Sequence, residues 1–273
     1  MSEQENFIRA AAFFSAAGHR LSGEMIHGKD GNGEEGSPHL VFLHEGLGSV
    51  GQWRDFPLSL CKRTGLPALV FDRWGYGKSE PCEESGEIGY LHEEALTSLP
   101  QVLGHFGIEN AILIGHSDGG SIALIFAAAH PEKVCCLITE AAHVFAEDVT
   151  LEGIREAVGI YKDTDLRGRL AKYHGEKTDL VFKRWSETWL APPFREWNIE
   201  AYLSAVSCPV LAIQGQDDPY GTPAQVEAIV RQVSGPVSGL IVPACGHIPH
   251  FQAREAVTAA MADFVGKCLK RNQ

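Results

Sequence analysis

The 273-residue chain lacks the features that would mark a membrane, secreted or nucleic-acid-binding protein. No apolar run reaches the length of a membrane span. The first residues include Glu3 and Glu5, where a secretory signal peptide would be basic. Basic side chains are few: 23 lysines and arginines against 35 acidic residues give a formal charge of −12, which repels phosphate backbones and anionic lipid. We therefore expect a cytoplasmic protein with neither a nucleic-acid nor a membrane partner.

Metal and redox motifs are missing as well. The seven cysteines include no C-x-x-C pair, so the sequence favours reduced, mostly buried thiols. His44 and Glu45 do not begin a zinc H-E-x-x-H motif, because Gly48 stands where the second histidine would be. His247 and His250 are spaced as H-x-x-H, but no third ligand is evident. We expect neither a metal nor an organic cofactor.

Short apolar runs alternate along the chain with longer stretches of helical periodicity. The apolar runs are nearly continuous in Val, Ile, Leu and Ala, which is typical of strands buried on both faces of a parallel sheet. The alternation predicts an α/β fold with a mostly parallel, doubly wound sheet. The predicted strands are 40–44, 68–72, 111–115, 134–139, 210–214 and 240–244, and the predicted helices are 90–105, 121–130, 223–233 and 254–270.

One segment departs from this alternation. Residues 144–206 contain no strand-like run and are rich in aromatic and charged residues, including three of the five tryptophans. An insertion at the carboxyl edge of a parallel sheet lies over the crevice where ligands bind. We therefore predict an α/β core of residues 1–143 and 207–273 and a helical lid of residues 144–206. The aromatic side chains of the lid either line the substrate site or simply pack the lid onto the core.

The strongest chemical signal is the run GHSDGG at 115–120. It follows a predicted strand and opens a predicted helix, which is the strand–turn–helix setting of a nucleophile elbow. The strained turn projects the Ser117 hydroxyl, and glycine at 115 and 119 lets the backbone pass closely. The amino end of the helix favours negative charge beside the serine. The run therefore predicts that Ser117 is a catalytic nucleophile.

A serine hydroxyl becomes nucleophilic when a base removes its proton and a carboxylate orients that base. In this architecture the acid and then the histidine follow the serine along the chain. Asp217 and Asp218 come after the predicted strand 210–214, and His247 comes after the predicted strand 240–244. All three lie at the sheet edge that carries Ser117. His247 is the predicted base, and one of the two aspartates is the predicted acid, since only one of two neighbours can face His247.

Acyl transfer also needs two donors that hold the developing oxyanion. The backbone amide of Asp118, directly after the nucleophile, is one candidate. The second is expected in the loop HEGLGS at 44–49, which follows the predicted strand 40–44, and we assign it to Gly46. The loop also fits an ordinary strand-to-helix turn, and the two interpretations are compatible.

Together these motifs resemble the α/β-hydrolase superfamily along nearly the whole chain. The run FDRWGYGKS at 71–79 is similar to the family's loop of aspartate, glycines and serine. Within the superfamily, the runs SDGG at 117–120, LGS at 47–49 and EGIR at 152–155 resemble the valacyclovir hydrolase (biphenyl hydrolase-like) family. The pair HE at 44–45 departs from that family, and much of the lid differs.

The resemblance implies ester hydrolysis by a serine nucleophile, including esters of amino acids. Its spacing places the acid three residues after a glycine at the strand end, which selects Asp218 from Gly215 and leaves Asp217 in solvent or in a turn. Some relatives place the acid where Glu140 stands, so Glu140 is the alternative. The resemblance also implies that the Asp118 carboxylate favours substrates with an amino group.

The sequence therefore predicts a cofactor-independent serine hydrolase that cleaves a small-molecule ester, thioester or lactone through an acyl-enzyme on Ser117. The Asp118 carboxylate either attracts a substrate ammonium group or is satisfied by loop amides or by Arg73. Alternatives are a carbon–carbon bond hydrolase or perhydrolase with the same triad, and a ligand-binding receptor with vestigial hydrolysis. Dehalogenase chemistry is disfavoured, because it needs a carboxylate in place of Ser117. The expected substrate contacts are Asp118, Glu45, His143, Trp185 and Trp189.

Overall fold

The computed structural model describes residues 7–29, 36–83 and 86–271. An eight-stranded sheet runs through it in the order β1-β2-β4-β3-β5-β6-β7-β8. β1 pairs with β2, and β2 with β4, in the antiparallel direction. The remaining pairings, from β4–β3 to β7–β8, are parallel. The predicted α/β class and mostly parallel sheet are confirmed. The strands are β1 Phe7–Ala16, β2 His19–Gly28, β3 His39–Leu43, β4 Ala68–Asp72, β5 Ala111–His116, β6 Val134–Glu140, β7 Val210–Gly215 and β8 Val237–Val242.

Helices cover both faces of the sheet. The predicted helix 90–105 is divided into two α-helices by a π-helical turn, Glu94–Ser98. The helices of the core are α1 Phe56–Thr64, α2 Tyr90–Glu93, α3 Leu99–His105, α4 Asp118–Ala129, α9 Ala224–Gln232, α10 Pro249–Gln252 and α11 Arg254–Arg271. The helices between β6 and β7 are α5 Asp148–Asp163, α6 Leu166–His174, α7 Thr178–Leu190 and α8 Glu200–Leu203.

The alternation of side chains along β3 shows how the core is divided. Leu40 and Phe42 pack on one face with residues of α1 and α11. Val41 and Leu43 pack on the other face with residues of α3 and α4. Successive side chains of a strand point to opposite faces, so a strand covered on both sides must be apolar throughout. This is why the central strands stand out in the sequence.

The two ends of the sheet differ from the sequence prediction. The antiparallel hairpin of β1 and β2 was not predicted, since most of β1 is exposed. Ala17 and Gly18, which join these strands, both have positive φ, as tight hairpin turns require. β8 begins three residues earlier than predicted and is mostly exposed, because it is the edge strand beside β7.

Helices α5 to α8, here called the inserted helices, join β6 to β7 and contact the loops beyond the strand ends. The His174 ring bridges two of these loops: its Nε2 lies 2.9 Å from the Leu47 carbonyl, and its Nδ1 accepts the Gly77 amide at 3.0 Å. Lys177 donates to the carbonyls of Tyr76 and Ser79. The division into a core and a lid over 144–206 stays a prediction.

The expectation of mostly buried, reduced thiols has a direct counterpart in the structure. Six of the seven cysteines are buried, and Cys135 is half-buried. Within the described ranges, every helix is too short or too polar to cross a bilayer.

Candidate active site

Ser117 occupies a strained turn between β5 and α4. Its backbone has φ 53° and ψ −117°, a region that non-glycine residues rarely adopt. The Ser117 amide donates to the Glu140 carbonyl at 2.8 Å, which fixes the turn to the end of β6. A Cβ on Gly119 would overlap the Leu43 carbonyl, and one on Gly115 would overlap the Gly119 backbone. Glycine is therefore required on both sides of the serine.

Asp218 and His247 form a hydrogen-bonded pair beyond β7 and β8. His247 Nδ1 lies 2.8 Å from Asp218 Oδ2 and 3.0 Å from Oδ1. The carboxylate also accepts Gln214 Nε2 at 2.6 Å and the Tyr220 amide at 2.8 Å, so both of its oxygens are fixed. Asp217 is exposed. The structure thus places Asp218, and not its neighbour, against the histidine.

The pair shifts both pKa values. Burial alone would lower the pKa of His247, but the Asp218 carboxylate, with help from Glu45 and Asp118, raises it above its ordinary value. Burial would raise the pKa of Asp218, but the charge of His247 and its hydrogen bond lower it. A raised pKa makes the imidazole a stronger base while Asp218 stays ionised beside it.

A small cavity of about 50 Å³ lies over Ser117 and His247. Because Ser117 and His247 line one space, a carbonyl carbon bound there could meet both groups. The structure brings all five expected substrate contacts to this cavity. Sequence reasoning did not assign four further lining residues to the site: Leu47 and Ile154 lie in the runs LGS and EGIR, whereas Thr150 and Tyr220 carry no motif. The residues that line the small cavity are Glu45, Leu47, Ser117, Asp118, His143, Thr150, Ile154, Trp185, Trp189, Tyr220 and His247.

Gly46 and Asp118, the two residues expected to supply the oxyanion donors, are neighbours in the fold. Asp118 is the first residue of α4, where backbone amides have no partner within the helix. A Cβ on Gly46 would overlap the Trp185 ring and lie 3.2 Å from Asp118 Oδ2. Glycine is therefore needed at position 46 because the Trp185 ring packs directly against its backbone.

The loop after β4 supports the loop that carries Gly46. The Asp72 carboxylate accepts the Val50 amide at 2.6 Å and the Lys78 amide at 2.9 Å. Arg73 donates from Nη2 to the Glu45 carbonyl at 2.9 Å. These bonds give the FDRWGYGKS run a physical role, because they hold the loop after β3 in place.

The Asp118 carboxylate has two different environments. Its Oδ2 accepts the Tyr90 hydroxyl at 2.7 Å and lies 3.5 Å from Arg73 Nη2. Its Oδ1 is buried without a hydrogen-bond partner among the described residues. Arg73 is thus one partner of the Asp118 carboxylate, as expected for a structural aspartate. The other oxygen, Oδ1, is unsatisfied, and Asp118 lines the small cavity.

Glu140 contacts a different histidine from the one that the triad needs. Its Oε2 lies 2.7 Å from His250 Nδ1, and both side chains are buried. His116 Nε2 in turn donates to the His247 carbonyl at 2.7 Å. The structure therefore places the Glu140 carboxylate against His250, whereas the alternative triad acid would have to lie against His247. Within the described residues, no cluster of three or more His, Cys, Asp or Glu side chains could hold a metal ion.

A large cavity of about 510 Å³ adjoins the small one. The two share Glu45, Leu47, Tyr220 and His247 in their linings. The large cavity lies between the 44–54 segment, residues 247–251 and helix α6. Burial raises the pKa of Glu45; the charge of His247 opposes this shift and that of Asp118 adds to it. His247 thus lines two adjoining spaces of very different size.

Comparison with known proteins agrees with this architecture. The family model described as alpha/beta hydrolase fold matches residues 38–167. The chain is 24% identical over 273 residues to 2-hydroxy-6-oxononadienedioate/2-hydroxy-6-oxononatrienedioate hydrolase of Comamonas testosteroni, covering 90% of this chain and 92% of that protein.

Two solved structures show the same fold. The 2-hydroxy-6-oxo-6-phenylhexa-2,4-dienoate hydrolase of Rhodococcus sp. strain RHA1 aligns with a TM-score of 0.78 at 16% identity, covering 95% of this chain and 99% of that one. The enol-lactonase from Burkholderia xenovorans LB400 aligns with a TM-score of 0.72 at 17% identity, covering 93% and 100%. The chain has the α/β-hydrolase fold. It is an enzyme of the hydrolase class and resembles the 2-hydroxy-6-oxo-dienoate hydrolases in particular.

Proposed function

We propose that the protein is a cofactor-independent serine hydrolase that cleaves a small carboxylic ester, thioester or lactone. The observation that carries the proposal is one cavity shared by Ser117, in its strained turn, and by His247, which is paired with the buried Asp218. This is the nucleophile, base and orienting acid of acyl transfer.

In the proposed mechanism, Ser117 Oγ attacks the substrate carbonyl carbon while His247 Nε2 takes the hydroxyl proton. The backbone amides of Asp118 and Gly46 donate to the oxyanion. When the tetrahedral intermediate collapses, His247 returns the proton to the leaving oxygen or sulfur, and an acyl-Ser117 ester remains. Water, activated by His247, then attacks that ester and releases the carboxylic acid.

The sizes of the two cavities support a small acyl group. The small cavity beside Ser117 holds about 50 Å³, where about 10–15 Å³ is enough for one water molecule. An acyl group of a few heavy atoms fits there, and the leaving group extends into the large cavity past His247.

An amino group on the acyl part is the finer form of the proposal. The unsatisfied Asp118 Oδ1 can accept an ammonium N–H, and Glu45 lines the same cavity. Trp185 and Trp189 also line this space, and aromatic rings of this kind attract cations. Arg73 opposes this attraction from the other oxygen of Asp118.

The test is hydrolysis of p-nitrophenyl acetate with burst kinetics. The wild type should release one equivalent of p-nitrophenol rapidly, and Ser117→Ala should lose nearly all turnover. Ser238→Ala, an exposed serine on β8, is the matched control and should behave as the wild type does. An organophosphonate should add once per chain, and mass spectrometry should place the adduct on Ser117. Full turnover in Ser117→Ala would refute the serine mechanism, and binding without a burst would favour a receptor.

A second candidate is carbon–carbon bond hydrolysis, which the names of the relatives favour. A 2-hydroxy-6-oxo-dienoate has a ketone and a carboxylate but no ester linkage, so its hydrolysis must break a carbon–carbon bond. The same Ser117, Asp218 and His247 arrangement would serve. Incubation with 2-hydroxy-6-oxo-6-phenylhexa-2,4-dienoate, followed by loss of its conjugated absorbance, separates this candidate from ester hydrolysis.

A further inference from the structure

The large cavity has a charge opposite to that of the chain. The protein carries a formal charge of −12, yet three cationic side chains, Arg54, Arg169 and Lys172, line this cavity. We propose that the large cavity binds the leaving-group half of the substrate and that this half carries an anionic group such as a carboxylate. The inference rests on the proposed function, because it needs an acyl group beside Ser117.

Arg54 has a backbone that is strained for its residue type. Its φ of 52° and ψ of −123° nearly repeat those of Ser117, and such conformations are kept where the surroundings impose them. The guanidinium carbon lies 4.9 Å from the centre of the Phe251 ring, which also lines the large cavity. A cation held over an aromatic face at this distance keeps its direction. The turn and the ring together direct the Arg54 charge to one wall of the cavity.

Arg169 and Lys172 face the same space from helix α6. Residues three apart on a helix lie on one side of it, which explains why both line the cavity. The helix is seated on the 47–54 segment: a Cβ on Gly51 would lie only 3.0 Å from the Tyr173 ring. The bond of His174 to the Leu47 carbonyl, described above, fixes the same end of α6. Two cations from α6 therefore share the cavity with Arg54.

The carboxyl group in the lining opposes an anion only weakly. Glu45 is the acidic residue among the described lining side chains, and it sits at the boundary with the small cavity. Burial raises the pKa of Glu45, and the three cationic side chains of the lining outnumber this single carboxyl group. The balance of charge around the large cavity thus stays positive.

The test compares two acetyl esters that differ in the charge of the leaving group. They are 4-acetoxybenzoate, which is anionic, and its neutral methyl ester. The measured quantity is the ratio of kcat/KM for the anionic ester to kcat/KM for the neutral ester. In Arg169→Gln/Lys172→Gln this ratio should fall about tenfold, and in Arg54→Gln about threefold, as expected for partly exposed ion pairs. Differences in intrinsic reactivity cancel when the ratio is compared between variants.

Salt and a matched variant complete the design. In the wild type, 0.5 M NaCl should lower the ratio, since ions screen charges at exposed sites. Arg155→Gln removes an exposed arginine of helix α5 that is outside the cavity lining, and it should leave the ratio unchanged. An unchanged ratio in the double variant, or an equal fall in Arg155→Gln, would overturn the inference while Ser117-dependent hydrolysis of the neutral ester continues. Loss of that Ser117 dependence would instead refute the proposed function.

Discussion

Replacing Asp218 by asparagine exchanges the carboxylate that orients His247 for a neutral amide of the same size. In the structure Asp218 receives three donors: His247 Nδ1, Gln214 Nε2 and the Tyr220 amide. An asparagine has one acceptor oxygen and one NH2 group, so in either orientation its NH2 faces a donor. If the NH2 faces His247, the imidazole must carry its proton on Nε2 and cannot accept the proton of Ser117.

The expected loss is large and specific to one of two neighbouring residues. The same change in the orienting acid of a serine protease lowers kcat about 10⁴-fold, equivalent to about 5 kcal/mol of transition-state stabilisation. We expect Asp218→Asn to lower kcat for p-nitrophenyl acetate by a similar factor. Asp217→Asn changes an exposed side chain and should stay within about twofold of the wild type. Urea unfolding of both variants checks that the fold is kept.

The pH profile gives a second reading of the same substitution. The base must be neutral to accept a proton, so kcat/KM rises as the pH passes upward through the pKa of His247. Asp218 raises this pKa above the ordinary value, and its removal should move the rising limb of the profile to lower pH. A residual rate within tenfold of the wild type, or a larger loss in Asp217→Asn, would refute the assignment of Asp218.

Two further outcomes follow from other buried carboxylates. Asp118→Asn should reduce the preference for an α-amino ester over its deaminated analogue by about ten- to a hundredfold, which is the range of a charge-assisted hydrogen bond. A preference that survives the change would show that Asp118 is structural. Glu140→Ala leaves Nδ1 of the buried His250 without its hydrogen-bond partner and should lower the free energy of unfolding by about 1–3 kcal/mol in urea titration, the cost of an unsatisfied buried polar group. A loss below about 1 kcal/mol would show that the Glu140–His250 contact contributes little to stability.

Local sequence patterns were enough to locate most of the sheet and the strained turn that carries Ser117. The run around Ser117 is determined locally, since its turn needs glycine at fixed positions and an apolar strand before it. The hairpin of β1 and β2 was missed because the exposed outer strand has no alternation of apolar and polar residues. β8 was placed only approximately, because an edge strand is not required to be apolar.

The substrate site could be predicted only in part. Trp185 and Trp189 were expected from the aromatic content of their segment, and both line the small cavity. Tyr220 and Thr150 carry no motif, and the bond from Thr150 Oγ1 to the Tyr220 carbonyl joins them across 70 residues of sequence. Such contacts depend on how the inserted helices pack, and no short pattern encodes that packing. The positive lining of the large cavity was hidden for the same reason, since Arg54 and α6 are far apart in the chain.

The origin of the site residues along the chain has a consequence for how this enzyme could diverge. Ser117, Asp218 and His247 follow strands of one sheet, and the His116 bond to the His247 carbonyl fixes two of their loops to each other. A single continuous stretch, the inserted helices, supplies ten of the residues that line the two cavities. Exchange of that stretch between related genes would therefore change selectivity in one recombination event and leave the chemical step intact. Chimeras made at the β6 and β7 ends are thus a natural route to new specificities on this scaffold.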